Sequence, residues 1–195
     1  MNSNDIKCSY GFDVVGIVKG PAENIIILGL ETRPDRDLDE FLGGKHPKFP
    51  GFKKHFIPRV RKLKRDIQAK RFKACQVDGY DRRYPLKQYA VIAGIGQQGK
   101  NTLIIHPLFD ARLRFVALVT DMPLESSGSH RYECQPNLRC EKCNNLCVEE
   151  CCDKALGEYL LRDETKCLAR RQLDECRSNQ TRCNLCWKAC ERSKA

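Results

Sequence analysis

Residues 140–152 read CEKCNNLCVEECC and residues 183–190 read CNLCWKAC, so the spacing C-x2-C-x3-C occurs twice. Each copy brings three thiols into one short segment and leaves a fourth ligand to come from elsewhere in the chain. This is the arrangement in which four thiolates hold a [4Fe–4S] cluster, one for each iron. The repeated spacing therefore predicts a module that folds around bound metal rather than around a large apolar core.

The number of cysteines is sufficient for two such clusters. In ferredoxins with two clusters, the last Cys of each run serves the other cluster. On this pattern the ligands of one cluster are Cys140, Cys143, Cys147 and Cys190, and those of the other are Cys151, Cys167, Cys183 and Cys186. Cys152 is an alternative to Cys151, and Cys134 and Cys176 are left over.

Zinc is the competing metal. The pairs Cys140/Cys143 and Cys183/Cys186 could together close one tetrahedral site of four thiolates. A zinc site would leave the third Cys of each group without a role, whereas two clusters use it. Ligand count and the softness of thiolates favour iron–sulfur clusters, with zinc as the alternative.

The cysteines divide the 195-residue chain into two parts. Eleven of the 13 lie between Cys134 and Cys190, downstream of a loop-like Ser126–Ser129. We expect an α/β part over residues 1–130 and a Cys-rich part over 131–195. Residues 1–20 lack the apolar run of a secretory signal, and Ile25–Leu28 is too short to span a bilayer. We therefore expect a cytoplasmic protein without membrane contact, in which dense Cys binds metal rather than forming disulfides.

The first part has the pattern of a small mixed α/β (α+β) domain. Phe12–Val18 and Asn24–Leu30 are rich in Val and Ile and predict two short buried strands. A helix is expected to start near Pro58, because proline suits a first helical position. Thr102–Ile105 and Phe115–Thr120 predict two further strands.

Positive charge is concentrated in residues 45–73, which hold twelve Lys or Arg against the single acid Asp66. Within the predicted helix the basic face consists of Arg59, Arg61, Lys62, Lys64 and Arg65. One interpretation is a solvated helix face, which is the usual role of a charge run. The other is contact with the phosphates of a nucleic acid, because neutralising phosphates releases counterions.

A glycine loop precedes the third predicted strand. Residues 94–101 read GIGQQGKN, with Gly94, Gly96 and Gly99 in the spacing of dinucleotide folds and Lys100-Asn101 where a P-loop has Lys-Ser/Thr. Both kinds of nucleotide site need a long helix directly after the glycines, and residues 102–107 read TLIIHP, which is poor helical material. A tight turn between two elements is the favoured interpretation of this loop.

Residues 85–109 read PLKQYAVIAGIGQQGKNTLIIHPLF, followed by Arg112-Leu-Arg114, by Thr120-Asp-Met-Pro-Leu124 and then by the two Cys groups. In content and order this stretch resembles the epoxyqueuosine reductase and reductive dehalogenase-like family. The resemblance extends over residues 85–190. It implies a truncated, nitroreductase-like corrinoid domain followed by a ferredoxin-like module with two [4Fe–4S] clusters.

The resemblance also implies a function and partners. Electrons would pass from a donor such as flavodoxin or ferredoxin through the clusters to a cobalt corrinoid, cobalamin, which reduces the substrate. The epoxyqueuosine branch acts on a modified tRNA base. The resemblance therefore implies tRNA as the partner of the basic residues 45–73. The eight cysteines above are the implied cluster ligands, with Cys167 as the isolated one, and Asp78 is the nearest match to the family's catalytic Asp.

Two other classes of function remain open from the sequence. One is a ferredoxin-like electron carrier without catalysis of its own. The other is a zinc-stabilised protein that binds nucleic acid through residues 45–73. The repeated three-Cys groups favour clusters over zinc, and residues 85–101 favour a reductase-derived domain over a bare ferredoxin.

Overall fold

The structure is a computed structural model that describes residues 1–42, 49–77, 83–128, 138–163, 165–167 and 183–192. Its helices are α1 (Ser3–Tyr10), α2 (Pro50–His55), α3 (Ile57–Ala69), α4 (Leu86–Ile92), α5 (Leu138–Glu141), α6 (Leu146–Glu149) and α7 (Leu185–Arg192). Its strands are β1 (Val14–Lys19), β2 (Asn24–Glu31), β3 (Ala74–Val77), β4 (Gln97–Gln98), β5 (Ile104–Ile105), β6 (Leu113–Thr120), β7 (Leu156–Gly157) and β8 (Leu160–Leu161).

A four-stranded antiparallel sheet with the order β1-β2-β6-β3 organises the first part of the chain. Strand β2 lies inside the sheet and is buried over seven of its eight residues. Its run of consecutive aliphatic residues suits this position, because a strand covered on both faces must be apolar on both. Ile26 and Leu28 point to one face, and Ile25 and Ile27 point to the other.

The two faces of the sheet carry separate hydrophobic cores. On the first face α1 and α3 cover the sheet, and Ile6, Phe56 and Leu63 are completely buried there. On the second face α4 packs against β1, β2 and β6, with Ala90 and Ala93 in the core. Every buried residue of both cores lies between Ile6 and Leu124. The α/β part therefore has its own core, to which the Cys-rich part contributes nothing among the described residues.

The structure confirms a mixed helix and sheet architecture. The strands predicted over Phe12–Val18 and Asn24–Leu30 are the β1–β2 hairpin, and the helix predicted near Pro58 is α3, which starts at Ile57. Helix α2 was not predicted. The predicted boundary near residue 130 and the weak catalytic candidate Asp78 lie outside the described residues, and the division into two domains stays a prediction.

The glycine loop is a β-hairpin. Strand β4 pairs with β5, with Gln97 opposite Ile105. Gly94 ends α4 in the left-handed region at φ +73°, which only glycine adopts without strain. A side chain at Gly96 would come within 2.6 Å of the Ile105 carbonyl oxygen, so the two strands can approach only because this residue lacks one. We call residues 94–105 the glycine hairpin.

None of the helices in the described ranges is both long enough and apolar enough to span a bilayer.

Candidate metal centre

The Cys-rich part places its cysteines on short helices joined by turns. Cys140 lies in α5, Cys147 in α6, and Cys186 and Cys190 lie one turn apart in α7. Helices α6 and α7 pack against each other. Asn145 precedes α6 in the left-handed region at φ 56°, a conformation that Asn tolerates better than most residues.

Four cysteines converge on one cavity. We call them the first Cys group: Cys140, Cys143, Cys147 and Cys190. Cys140 and Cys147 are buried, and Cys143 and Cys190 are partly buried. The remaining walls come from the glycine hairpin and from apolar side chains, namely Lys100, Asn101, Ile105, Leu146 and Ala189.

The thiols of the first group are close enough to influence each other's ionisation. The pKa of Cys147 is raised to about 12, first by burial and then by the negative charges that Cys190, Cys143 and Cys140 would carry. Several buried thiolates in one place repel each other unless a cation lies among them. The group is therefore suited to hold thiolates only when metal is bound.

The other four predicted ligands form a second Cys group: Cys151, Cys167, Cys183 and Cys186. The pKa of Cys186 is raised to about 11 by burial, then by Cys183 and Cys167, and more weakly by Cys151. All four are partly buried, whereas the alternative ligand Cys152 is exposed. The structure thus places the four cysteines of the first set around one cavity. Cys183, Cys167 and Cys151 lie within electrostatic reach of Cys186, which itself acts on Cys147, and Cys183 and Cys151 also act on Cys152, so the division into two ligand sets stays a prediction. Cys134 and Cys176 lie outside the described residues.

The donor chemistry of these groups fits iron–sulfur clusters. Each group offers four thiols, and a [4Fe–4S] cluster takes one thiolate for each iron. Within the described ranges, no three His, Cys, Asp or Glu side chains are placed to hold a single metal ion. His46 and His130 lie outside the described residues, and neither His55 nor His106 lines the cavity of the first Cys group. His106 accepts backbone hydrogen bonds from Leu108 and Phe109 at its Nδ1.

The glycine hairpin connects the α/β part to this centre. Asn101 is 3% exposed, and its side-chain amide donates to the Cys186 carbonyl oxygen at 3.3 Å. Lys100 is 8% exposed and lies beside the first Cys group. The backbone N–H of Tyr159, between β7 and β8, donates to the Lys100 carbonyl oxygen at 3.0 Å. The loop that the sequence offered as a cofactor site thus lies in a hairpin that no helix follows, and its tip contacts the Cys-rich part.

Two arginines at the start of β6 hold α7 against the α/β part. Arg112 forms ion pairs with Glu31 at 2.8 Å and with Glu191 of α7 at 3.6 Å. Arg114 pairs with Asp39, and its guanidinium carbon lies 5.5 Å from the ring centroid of Trp187 in α7. Both arginines lie in the stretch on which the resemblance rests, but nothing in the sequence showed their partners.

The predicted basic face of α3 is only partly available for binding. The Arg59 guanidinium donates to the carbonyl oxygens of Gly11 and His55, so it links α3 to the end of α1. The ammonium of Lys62 lies 5.5 Å from the ring centroid of Tyr10. The three other basic residues, Arg61, Lys64 and Arg65, form no ion pair with any described residue.

Tyr10 joins the two helices on this side of the sheet. Its hydroxyl donates to Asp66 of α3 at 2.8 Å. Burial, together with the hydrogen bond to Asp66 and the charge of that residue, raises the pKa of Tyr10 to about 12. The one acid of the basic segment is thus held by a hydrogen bond from a neutral group and keeps its charge, against the exposed Arg61, Lys62 and Arg65 of α3.

Comparison with solved structures identifies the fold. The epoxyqueuosine reductase of Streptococcus thermophilus superposes with a TM-score of 0.66 at 16% identity, over 98% of this chain and 65% of that one. A crystal structure of epoxyqueuosine reductase with an epoxyqueuosine-modified tRNA-Tyr stem loop gives 0.64 at 15% identity, over 98% and 64%. A catabolic reductive dehalogenase in complex with 3-bromo-4-hydroxybenzoic acid gives 0.61 at 12% identity, over 97% and 33%.

No protein-family model and no curated protein matches the sequence. The chain spans just under two thirds of the length of the epoxyqueuosine reductases and one third of that of the dehalogenase. At these identities the similarity is one of fold. It confirms, at that level, the resemblance that residues 85–190 indicate.

Proposed function

We propose that this chain is an iron–sulfur oxidoreductase that passes single electrons through two [4Fe–4S] clusters. The observation that carries the proposal is the convergence of Cys140, Cys143, Cys147 and Cys190 on one cavity, in a chain that shares its fold with epoxyqueuosine reductases and reductive dehalogenases. When bound, the clusters supply one-electron transfer, at potentials set by burial and by hydrogen bonds to sulfur. Cys140, Cys143, Cys147 and Cys190 hold one cluster, and Cys151, Cys167, Cys183 and Cys186 hold the other.

The position of Cys186 and Cys190 in one helix supports transfer between the two clusters. They are one turn apart in α7, yet Cys190 faces the first group and Cys186 the second. Cys186 also raises the pKa of Cys147, which places the two groups within electrostatic reach of each other. Helix α7 would therefore supply one ligand to each cluster.

In the fuller form of this proposal, a corrinoid, cobalamin, would relay the electrons when bound, and a modified base of tRNA would be the substrate that accepts them. This step rests on the resemblance and on the fold, and one solved neighbour is in complex with a modified tRNA stem loop. The exposed basic residues of α3 are the proposed contact with the phosphates of that RNA. Reduced flavodoxin or ferredoxin in the cytoplasm, where thiols stay reduced, is the proposed electron donor.

The experiment is anaerobic purification followed by measurement of iron, acid-labile sulfide, zinc and cobalt per chain. About eight irons and eight sulfides, as two cubane clusters require, together with broad brown absorption, would support the redox proposal. Cobalt retained after addition of cobalamin would support the reductase, and its absence would favour an electron carrier. Zinc without iron or sulfide would overturn the proposal and leave a nucleic-acid-binding protein.

A further inference from the structure

Lys100 is a buried cation beside the first Cys group. It lies at the tip of the glycine hairpin, is 8% exposed, and lines the same cavity as the four cysteines. Lysine is almost never buried to this extent unless it is paired. The burial of the Lys100 ammonium therefore requires a partner for its charge, and it suggests a role for that charge.

The partners of Lys100 lie away from the cysteines. Its ammonium donates to the Asn145 side-chain oxygen at 2.5 Å and lies 3.5 Å from a carboxylate oxygen of Glu158. The Asn145 amide in turn donates to the other oxygen of Glu158 at 2.8 Å. Glu158 is half-exposed and is not among the residues that line the cavity. Lys100 thus belongs to the wall of the cavity, whereas Glu158 does not and is half-exposed.

We propose that Lys100 is a tuning residue that raises the reduction potential of the cluster held by the first Cys group, and that Glu158 limits this effect. The inference rests on the proposed function, because it needs a cluster in that group. Reduction adds a negative charge to a cluster that its four thiolates already make anionic. A nearby cation stabilises the reduced form, and burial strengthens the interaction because the local dielectric constant is low.

The second Cys group has no equivalent of this arrangement among the described residues. The cation that acts on Cys186 is Lys87 of α4, which is exposed and donates to the Thr102 hydroxyl at 3.1 Å. Water and salt screen such a charge far more than a buried one. The charge of Lys100 should therefore raise the reduction potential of the cluster in the first Cys group and leave that of the other cluster unchanged.

The test is a redox titration of the anaerobic, cluster-loaded chain, followed by electron paramagnetic resonance. Iron and sulfide are counted first for every variant. Lys100→Gln should lower one potential by the equivalent of a tenfold or larger drop in the equilibrium constant for reduction, about 59 mV for a one-electron couple. Glu158→Gln should raise the same potential, because it removes the opposing charge while keeping an acceptor for Asn145. The second potential should not move in either variant.

Two control variants separate the effect of the Lys100 charge from the effect of a change in structure. Lys100→Arg keeps the positive charge and should keep the potential near that of the unmodified chain. Lys53→Gln removes an exposed lysine from α2, on the other side of the sheet, and should leave both potentials unchanged. Glu158→Gln is conservative and exposed, so it tests the sign of the effect even if Lys100→Gln does not fold.

The outcomes distinguish this inference from the function on which it rests. Opposite shifts of one potential in Lys100→Gln and Glu158→Gln would support it. Full iron content with both potentials unmoved, or shifts of the same sign in the two variants, would overturn it and leave the proposed function intact. A chain without clusters in any form would overturn the proposed function itself.

Discussion

Cys147 is one of the two buried members of the first Cys group, and its pKa is raised by burial and by the other thiols of that group. We predict that Cys147→Ala abolishes one cluster and lowers the iron content from about eight to about four per chain. Iron and sulfide analysis after anaerobic purification measures this change. Cys8→Ala, at an exposed cysteine of α1, is the matched control and should retain all the iron.

Loss of all iron in Cys147→Ala would mean that the two groups do not assemble independently. An unchanged iron content would remove Cys147 from the ligands. The first result would contradict the independent assembly of the two clusters, and the second would contradict the assignment of Cys147 as a ligand.

A substitution at Gly96 tests how closely the two strands of the glycine hairpin approach each other. We predict that Gly96→Ala destabilises the α/β part by about 1–3 kcal/mol, because the new methyl group would overlap the Ile105 carbonyl oxygen, which belongs to the backbone of β5. Denaturant unfolding followed by circular dichroism measures the free energy of unfolding. Gln97→Ala, at the exposed neighbouring position, should change it by less than about 0.5 kcal/mol. Equal stability of the two variants would show that the strands do not approach as described.

The sequence predicted the cysteines better than the residues around them. Three cysteines of the first set, Cys140, Cys143 and Cys147, are close in sequence, and the structure brings them to one cavity with Cys190. The division of the eight cysteines into two sets follows the pattern of two-cluster ferredoxins and stays a prediction. The positions of Lys100 and Asn101 were not predictable in the same way. Their burial depends on a contact between the glycine hairpin and a segment some 60 residues later, as in the bond from Tyr159 to Lys100.

At the scale of elements, α3 combines two kinds of basic residue. Arg59 is bonded to the backbone at the end of α1, whereas Arg61 and Arg65 are exposed. We predict that Arg61→Glu with Arg65→Glu weakens RNA binding steeply and lowers the slope of log Kd against log salt by up to about 2, since two phosphate contacts are lost. Titration of a fluorescent tRNA anticodon stem loop over a range of salt concentrations measures both quantities.

Arg59→Ala is the counterpart of that double variant. It should cost about 1 kcal/mol in stability through its lost hydrogen bonds and should affect the salt slope less. A salt-independent affinity in the unmodified chain, or an unchanged slope in the double variant, would show that α3 is a solvated face.

The elements were predictable where one local signal dominates. Helix α3 has apolar residues at positions 60, 63 and 67 and a proline at its start, and the aliphatic run of β2 can only lie inside a sheet. Helix α2 was missed because Pro50 and Gly51 indicate a loop, while Phe52 and Phe56 stack on each other and secure the helix to the core. In α2 the tertiary packing of the aromatic rings outweighs the local preference of the sequence for a loop.

At the scale of the whole molecule, different interactions stabilise the α/β part and the Cys-rich part. The α/β part has apolar cores on both faces of its sheet, and the Cys-rich part depends on what the cysteines bind. Trp187 is the only tryptophan of the chain and lies in α7 between Cys186 and Cys190. Its fluorescence therefore reports on α7 and on the contact of this helix with Arg114.

We predict that removing the clusters with an oxidant and a chelator under anaerobic conditions raises the emission of Trp187, because the clusters quench it, and shifts that emission to the red as α7 loosens. The cooperative thermal unfolding of the α/β part, followed by far-ultraviolet circular dichroism, should persist. Loss of that transition together with the metal would show that the sheet does not fold without the Cys-rich part.

The most direct test of the account is native mass spectrometry of the anaerobically purified chain, because it resolves how many clusters each molecule carries. The account predicts a principal species heavier than the polypeptide by two [4Fe–4S] units, and a species with one such unit fewer for Cys147→Ala. A principal species with a single zinc ion, or with no added mass after reconstitution with iron and sulfide, would contradict it.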